Sequence, residues 1–498
     1  MFNEEADLVV IGGGPAGSTL ATFVSMQGHR VLLLERGRMP LYKIGESLLP
    51  STVHGICAML GVGEELKQAG FTLKHGGTFR WGRNKEPWTF SFAQSSKIPG
   101  PTSYAYQVER MKFDPILFNN ARRKGVDARE EHTAIAPIRD AGRVIGVTYV
   151  DDRGRQRNVR AKYVVDASGY QSTLHRSVGE RIHSRFFRNV AIFGYYEGGE
   201  RLPPPRSGNI FCAAFDSGWF WYIPLRPDLT SVGAVICQDQ ARGLKKSETE
   251  ATLKSLIDSC EPIKYLLRSA HRITEGPYGE IRVRKDYSYS NTRFWVPGLA
   301  LVGDAACFID PVFSSGVHLA SYSALLAARS LNTFLAGELS ESRVFDEFER
   351  RYRREFSYFY DFLIAFYDFN KDQESYYWSA RNVLNTAEIG NDAFIRLVAG
   401  VGGSAERLYD NDLPFPADHT GMAEAMFGHF GNNENRGNLP ASGFDRSRFM
   451  SGFLAEVTQM QSQAVFKRLR SPEVPLFEDG LVPSRDGFHW CNPRDADA

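Results

Sequence analysis

The chain lacks an excess of charge of either sign. Among its 498 residues, 59 Lys and Arg stand against 58 Asp and Glu, a formal net charge of +1. No basic stripe marks a nucleic-acid partner, and no polybasic run marks an anionic membrane. Cysteine is sparse: Cys57, Cys212, Cys237, Cys260, Cys307 and Cys491 are scattered, with no Cys-x-x-Cys pair. That excludes a zinc ribbon or dithiol motif, predicts no metal site, and favours a reducing, cytoplasmic setting. Long apolar runs are missing too, so no membrane span is expected. Met1 to Leu8 carries acids before its first apolar run, unlike a signal peptide. Internal repeats and low-complexity tracts are absent. What is plentiful is aromatic surface, with 35 Phe and 21 Tyr.

At this length two to four structural units are expected. Asp7–Ile11 reads as a buried strand, Ala16–Gln27 as a helix and Arg30–Leu34 as a second strand ending at Glu35. This β-α-β unit places a nucleotide domain at the front of the chain. From about Thr78 to Phe92, and again from Val190 to Val235, aromatic and β-branched residues alternate as in strands. They predict an antiparallel sheet inserted into the first domain, over about 75–105 and 185–290. Lys162–Asp166 and Leu299–Val302 read as further parallel strands, ending in the turns Asp166-Ala-Ser-Gly169 and Gly303-Asp-Ala-Ala306. From Val317 the pattern is helical, and Phe345–Asn370 is amphipathic and dense in Phe and Tyr. The resulting division is a core over 1–335 and a mainly helical region over 336–498. Residues 401–445, rich in Gly, Asn and Pro, are expected to be partly mobile.

Gly12-Gly-Gly-Pro-Ala-Gly17 fits G-x-G-x-x-G through Gly12, Gly14 and Gly17. Gly12 permits the tight turn, Gly14 a close approach of backbone to pyrophosphate, and Gly17 close helix–sheet packing. The helix start offers unpaired N–H groups to the phosphate. Glu35 lies at the distance expected of an acid that binds a ribose hydroxyl. The late Leu301-Val-Gly-Asp304 turn, the Gln107-Val-Glu-Arg110-x-x-Phe-Asp114 segment and Asp166-Ala-Ser-Gly169 make the chain resemble the FAD-dependent monooxygenase superfamily related to p-hydroxybenzoate hydroxylase. The resemblance implies an α/β, Rossmann-like FAD-binding fold. It puts Asp304 on the ribityl chain, and Gln107 and Arg110 near the pyrophosphate. An ordinary solvated helix start is the plain alternative for Gln107 and Arg110. It also counts Ala16, Glu46, Ser47, Gly316 and Val317 among the cofactor contacts.

Gly218-Trp-Phe-Trp-Tyr-Ile-Pro224 narrows the family. It matches G-W-x-W-x-I-P of the flavin-dependent halogenases. Trp219 and Trp221, two apart on a strand, fall on one face. A packed indole wall there keeps an organic substrate away from the oxygen-activating flavin, so that only halide is oxidised. The resemblance next points to Lys74, in Gly70-Phe-Thr-Leu-Lys-His-Gly-Gly-Thr-Phe-Arg-Trp81, as the catalytic lysine; Lys43, upstream of Gly45-Glu46-Ser47, stays open as an alternative. A buried amine, its pKa lowered by desolvation, can hydrogen-bond hypochlorous acid or form a chloramine. In Asp310-Pro-Val-Phe-Ser-Ser-Gly-Val-His-Leu319 the amides of Ser315 and Gly316 are expected to hold chloride, unless the segment is only a glycine-hinged turn.

The family's free-tryptophan enzymes carry a glutamate where this chain has Phe313. The sequence more closely resembles the phenol- and pyrrole-chlorinating branch, whose members often act on carrier-bound groups, and the chondrochloren-type tyrosyl halogenases in particular. Shared-looking stretches without an assigned role are Gly45-Glu-Ser-Leu-Leu-Pro50, Glu280-Ile-Arg-Val-Arg-Lys-Asp-Tyr287 and Leu481-Val-Pro-Ser-Arg-Asp-Gly-Phe-His-Trp490. The expected cofactors are FAD and chloride; the expected partners are a flavin reductase and an acyl or peptidyl carrier protein. The aromatic stripe Phe356, Phe359, Phe362, Phe366 and Phe369, with Tyr358, Tyr360 and Tyr367 off its face, is either a docking patch or packing on the FAD domain. Rival readings are a flavin hydroxylase of the same fold and a non-catalytic, carrier-binding flavoprotein.

Overall fold

The computed structural model describes residues 2–81, 86–94, 100–184, 186–241, 246–285, 287–368, 475–477 and 479–494. In chain order the elements that position the site are β1 (Glu4–Ile11), α1 (Pro15–Ser25), β2 (Val31–Leu34), β3 (Thr72–Lys74), β4 (Gly76–Arg80) and β5 (Ala105–Gln107). They continue with α2 (Arg110–Arg123), β6 (Gln156–Asp166), β7 (Asn189–Glu197), β8 (Ile210–Phe215), β9 (Gly218–Arg226) and β10 (Leu229–Cys237). The last are α3 (Thr249–Asp258), α4 (Glu261–Leu266), β11 (Leu299–Leu301), α5 (Ser315–Leu335) and α6 (Glu341–Asp368).

The first sheet runs β11-β6-β1-β2, all parallel. Its strands are apolar on both faces because helices cover both; Leu8, Val9 and Val10 are fully buried. The glycines of the first turn are required by space. A methyl group on Gly17 would lie 1.9 Å from Gly12 O, and Gly12 itself sits at φ 100°.

The second sheet, ordered β7-β10-β9-β8-β4, is built from the two predicted stretches. It departs from the expected antiparallel pattern at one place, where β4 pairs with β8 in parallel. Side chains alternate between its faces. Trp219, Trp221 and Ile223 join the core shared with the dinucleotide unit, while Phe220, Tyr222 and Val232 pack with Leu253, Ile257 and Ile263 of α3 and α4.

Helix α5 begins at Ser315, two residues before the expected start, with Ser314 as its N-cap in the left-handed region (φ 61°, ψ 25°). Helix α6 buries Phe345, Phe348, Tyr352, Phe356, Phe359, Tyr360, Leu363 and Tyr367. Steps of three and four residues make these one face, so Tyr360 and Tyr367 lie on the buried side, not off it. Phe356 and Phe359 are buried with them, and this described part of the stripe therefore offers no docking surface. The side chains of Tyr358, Phe362 and Phe366, residue Phe369 and the segment 401–445 lie outside the described residues. So does most of the region 336–498.

The described residues on both sides of position 335 share one core. The stretch Leu481–Trp490 returns to α5: Arg329 Nε donates to Gly487 O (2.8 Å), Asn332 Nδ2 to Phe488 O (2.9 Å) and Trp490 Nε1 to Ser330 Oγ (3.0 Å). No helix among the described residues is long and apolar enough to cross a membrane.

Candidate active site

The turn between β1 and α1 leaves the N-terminus of α1 without a side-chain cap. Gly14 there faces open space, with no heavy atom within 4 Å of where a Cβ would stand. Glu35 is buried beneath the turn and accepts from Gly13 N (2.7 Å) and Gly37 N (2.9 Å), which fixes its carboxylate at the end of β2. The late Gly303-Asp304 turn meets the same helix: a Cβ on Gly303 would be 3.2 Å from Ala16 Cβ. Burial lifts the Asp304 carboxyl to about 6 against the pull of Arg110, Arg181 and Lys43. Gly12, Gly14, Ala16, Gly17, Glu35 and Asp304 are thus one constellation.

A second group lies at the junction of β5 and α2. Arg110 is buried and bidentate to Asp114 (2.6 and 2.8 Å), and its Nη1 donates to Ile44 O (2.6 Å). The solvated helix start is therefore corrected: Gln107 and Arg110 are interior, because α2 begins against the loop that Arg110 ties down. That loop carries Gly45, Glu46 and Ser47, and Ser47 bridges to Gln107. It also reaches α5, since a Cβ on Gly45 would be 3.7 Å from Val317 Cγ2. Glu46 Oε2, Ser47 Oγ and Gln107 Oε1 are buried without a hydrogen-bond partner. Buried polar atoms rarely stay unsatisfied, and together with the open Gly14 turn these donors and acceptors fit a dinucleotide with a polar ring system.

Lys74, at the end of β3, is only 2% exposed. Its Nζ donates to Leu48 O (2.9 Å) and to Ser314 Oγ (3.3 Å). Burial pushes the ammonium down to about 7. Lys43, by contrast, has an exposed side chain. The Phe92 ring lies 5.7 Å from Lys74 Nζ, and rings continue from it through Phe90 and Phe79 to Phe313. Ser314 links the lysine to the start of α5, where the amides of Ser315 and Gly316 belong to the first turn and have no partner within the helix. Gly316 packs on Phe308, whose ring a Cβ would approach to 2.8 Å.

The indoles stand on β9. Trp219 and Trp221 are 0% and 4% exposed, with ring centroids 6.2 Å apart. Trp219 Nε1 donates to Tyr367 Oη (2.6 Å), which donates to Asp310 Oδ2 (3.1 Å). Trp221 Nε1 donates to Ser231 Oγ (3.2 Å). No local pattern marked Ser314, Tyr367 or Asp310 as partners in this site, since each contact joins distant segments. Nor was Arg181 marked, whose buried Nε and Nη2 lack hydrogen-bond partners while its guanidinium stacks on Tyr289 (4.1 Å).

The tryptophan halogenase family model matches residues 7–100 and 94–413. The chain belongs to the flavin-dependent halogenases. A tryptophan 2-halogenase of Chondromyces crocatus is 33% identical over 407 residues, 79% of this chain and 75% of that protein. The flavin-dependent halogenase gsfI of Penicillium aethiopicum is 33% identical over 365 residues, 68% of this chain and 66% of that protein. Among solved structures, the myxobacterial chondrochloren halogenase CndH, a variant of FAD-dependent halogenases, is 52% identical. The match covers 98% of this chain and all 100% of that one, with a TM-score of 0.78. The flavin-dependent halogenase CmlS is 27% identical, covering 98% of this chain and 84% of its own, with a TM-score of 0.75. The fold of this halogenase is accordingly the FAD-binding Rossmann-like type with an interleaved sheet, and its cofactor is FAD.

Proposed function

We propose that this halogenase chlorinates a phenolic ring, a tyrosyl group held on the phosphopantetheine arm of a carrier protein, with Lys74 as the residue that hands chlorine to the ring. FAD, delivered reduced by a separate reductase in the cytoplasm, supplies the oxygen chemistry that oxidises chloride. Gly12, Gly14, Ala16 and Gly17 at the start of α1 would hold its pyrophosphate, Glu35 its ribose and Asp304 its ribityl chain. Glu46, Ser47, Gln107, Arg110, Gly316 and Val317 would line the rest of the cradle.

The observation that carries the reading is Lys74 itself. A buried amine with two hydrogen bonds to the protein and a pKa near neutral keeps its remaining valence for an electrophile. As ammonium it donates to hypochlorous acid. As amine it exchanges N–H for N–Cl with release of water; the ring carbon then takes chlorine, loses its proton, and the amine regains its hydrogen. The Ser315 and Gly316 amides hold chloride close by, and the Trp219–Trp221 wall keeps the organic substrate on the Lys74 side. Phe79, Phe90, Phe92 and Phe313 suit a ring and offer nothing to the charges of a free amino acid. Phe313 supplies no acid to polarise the oxidant, which an electron-rich phenol needs least.

Mass spectrometry of free tyrosine, tyrosyl-carrier and a short pantetheine thioester, incubated with reductase, FAD and chloride, tests the proposal. Chlorination confined to tethered forms is expected. Equal kcat/KM for free and tethered tyrosine refutes the carrier. Lys74→Ala should release oxidised halide without chlorinating; retention of a tenth of the activity, about 1.4 kcal/mol of transition-state stabilisation, removes Lys74 as the essential group.

A further inference from the structure

We infer that Glu46, Tyr195 and Tyr42 form a proton relay between the cofactor cradle and the protein surface. Halide oxidation by this family's reaction consumes protons. Reduced flavin in its anionic form, dioxygen, chloride and two protons become oxidised flavin, hypochlorous acid and water. Glu46, at the cradle, is buried, so a proton that reaches it from solvent needs a path through side chains.

Glu46 is held by its backbone, whose carbonyl accepts from Val108 N (2.6 Å). Its Oε1 accepts from Tyr195 Oη (2.7 Å), and the Tyr195 and Tyr42 hydroxyls are 2.6 Å apart. Tyr195 is fully buried on β7, and its ring lies 4.5 Å from that of Tyr278. Tyr42 is half-buried, with the guanidinium of Arg282 3.7 Å over its ring. The chain of hydroxyls therefore runs from a partly exposed tyrosine to an interior carboxyl. At the inner end, Oε2 of Glu46 is buried with no hydrogen bond, beside Ser47 Oγ and Gln107 Oε1 in the same condition.

Burial lifts the Glu46 carboxyl to about 7, outweighing the hydroxyls of Tyr195 and Ser231 and the charge of Arg110, which favour the carboxylate, while Glu109 disfavours it; there it can give and regain a proton near neutrality. Burial likewise pushes Tyr42 and Tyr195 far above the usual phenol range. They pass protons by exchanging hydrogen bonds, not by ionising. Each transfer is balanced: Oε2 releases a proton inward, Tyr195 gives one to Oε1, Tyr42 gives one to Tyr195, water restores Tyr42, and rotation of the protonated Glu46 carboxyl turns its O–H inward again for the second proton.

The test uses the full-length protein and the variants Glu46→Gln and Tyr195→Phe. In cofactor-free wild type below pH 7, infrared spectroscopy should show a buried carboxylic-acid carbonyl that Glu46→Gln removes and Tyr195→Phe shifts. With FAD saturating, both variants should form oxidised halide at least tenfold more slowly, with a larger solvent deuterium isotope effect. Formate should restore part of the rate to Glu46→Ala. A carbonyl unmoved by Tyr195→Phe overturns the relay, whatever the enzyme's substrate. So does weakened FAD binding with unchanged rate and isotope effect at saturation, which would make Glu46 a cofactor ligand only. The rate arm rests on the halogenase activity, whereas the infrared arm does not, so failure of one is distinguishable from failure of the other.

Discussion

Replacing Lys74 by Met should abolish chlorination and, at neutral pH, make the protein more stable. The Lys74 pKa of about 7 in the folded protein lies far below the 10.5 of a free lysine side chain. Between those values the unfolded chain binds a proton that the folded one does not. Folding is therefore penalised in full below pH 7, and the penalty fades as pH rises through 10.5. At pH 7 it is about 4 kcal/mol. Methionine has similar volume and no charge, so it removes that penalty. It also leaves Leu48 O and Ser314 Oγ without the Lys74 donor, a loss of about 1–3 kcal/mol. The balance is a variant more stable by about 2 kcal/mol at pH 7. The advantage should vanish and reverse by about pH 10. Urea unfolding of both full-length proteins at a fixed FAD concentration, from pH 7 to 10, measures the difference directly, because titrations common to both cancel. A difference independent of pH would refute the reasoning, since Lys74 would then not titrate in the folded state near neutrality.

Gly17→Ala should abolish FAD binding, because a methyl group 1.9 Å from Gly12 O must displace the turn; flavin absorbance retained after gel filtration decides it. Tyr367→Phe leaves the Trp219 indole N–H without its acceptor and should cost about 1–3 kcal/mol. Thermal unfolding reads that cost, and a change below about 0.5 kcal/mol contradicts the network. Purified enzyme mixed with NADH alone should leave bound FAD oxidised in stopped flow until a flavin reductase is added; rapid bleaching would place it with self-reducing flavoproteins.

The β1-α1-β2 unit was legible because its glycines answer local steric demands within six residues. The indole wall was legible because a two-residue spacing fixes a strand face. Lys74 was distinguishable from Lys43 only by resemblance: burial separates them, and burial is set by β3 and α5, which are 240 residues apart at the Lys74–Ser314 contact. The partners of Trp219 and Glu46 stayed hidden for the same reason, lying 148 and 149 residues away. The face of α6 was misread at Tyr360 and Tyr367 because aromatic residues occupy more than one helical register there. Tyr360 and Tyr367 are buried by groups far away in sequence: the Phe187 ring lies 5.4 Å from each, and Trp219 donates to the Tyr367 hydroxyl. The first turn of α5 was placed late because Ser315 and Gly316 are poor helix formers, and Ser314 starts the helix from a left-handed conformation that few non-glycine residues adopt.

The return of Leu481–Trp490 to α5 has a consequence for synthesis. The helix Ser315–Leu335 is translated more than 140 residues before the turn that accepts from Arg329 and Asn332. On the ribosome, that helix can dock on α1 early, yet its far end acquires the Gly487 and Phe488 carbonyls and the Trp490 indole only once residues 487–490 have emerged. A nascent or prematurely terminated chain ending before residue 480 lacks these acceptors, and a ribosome-stalled series around that length should gain protease resistance in α5 abruptly.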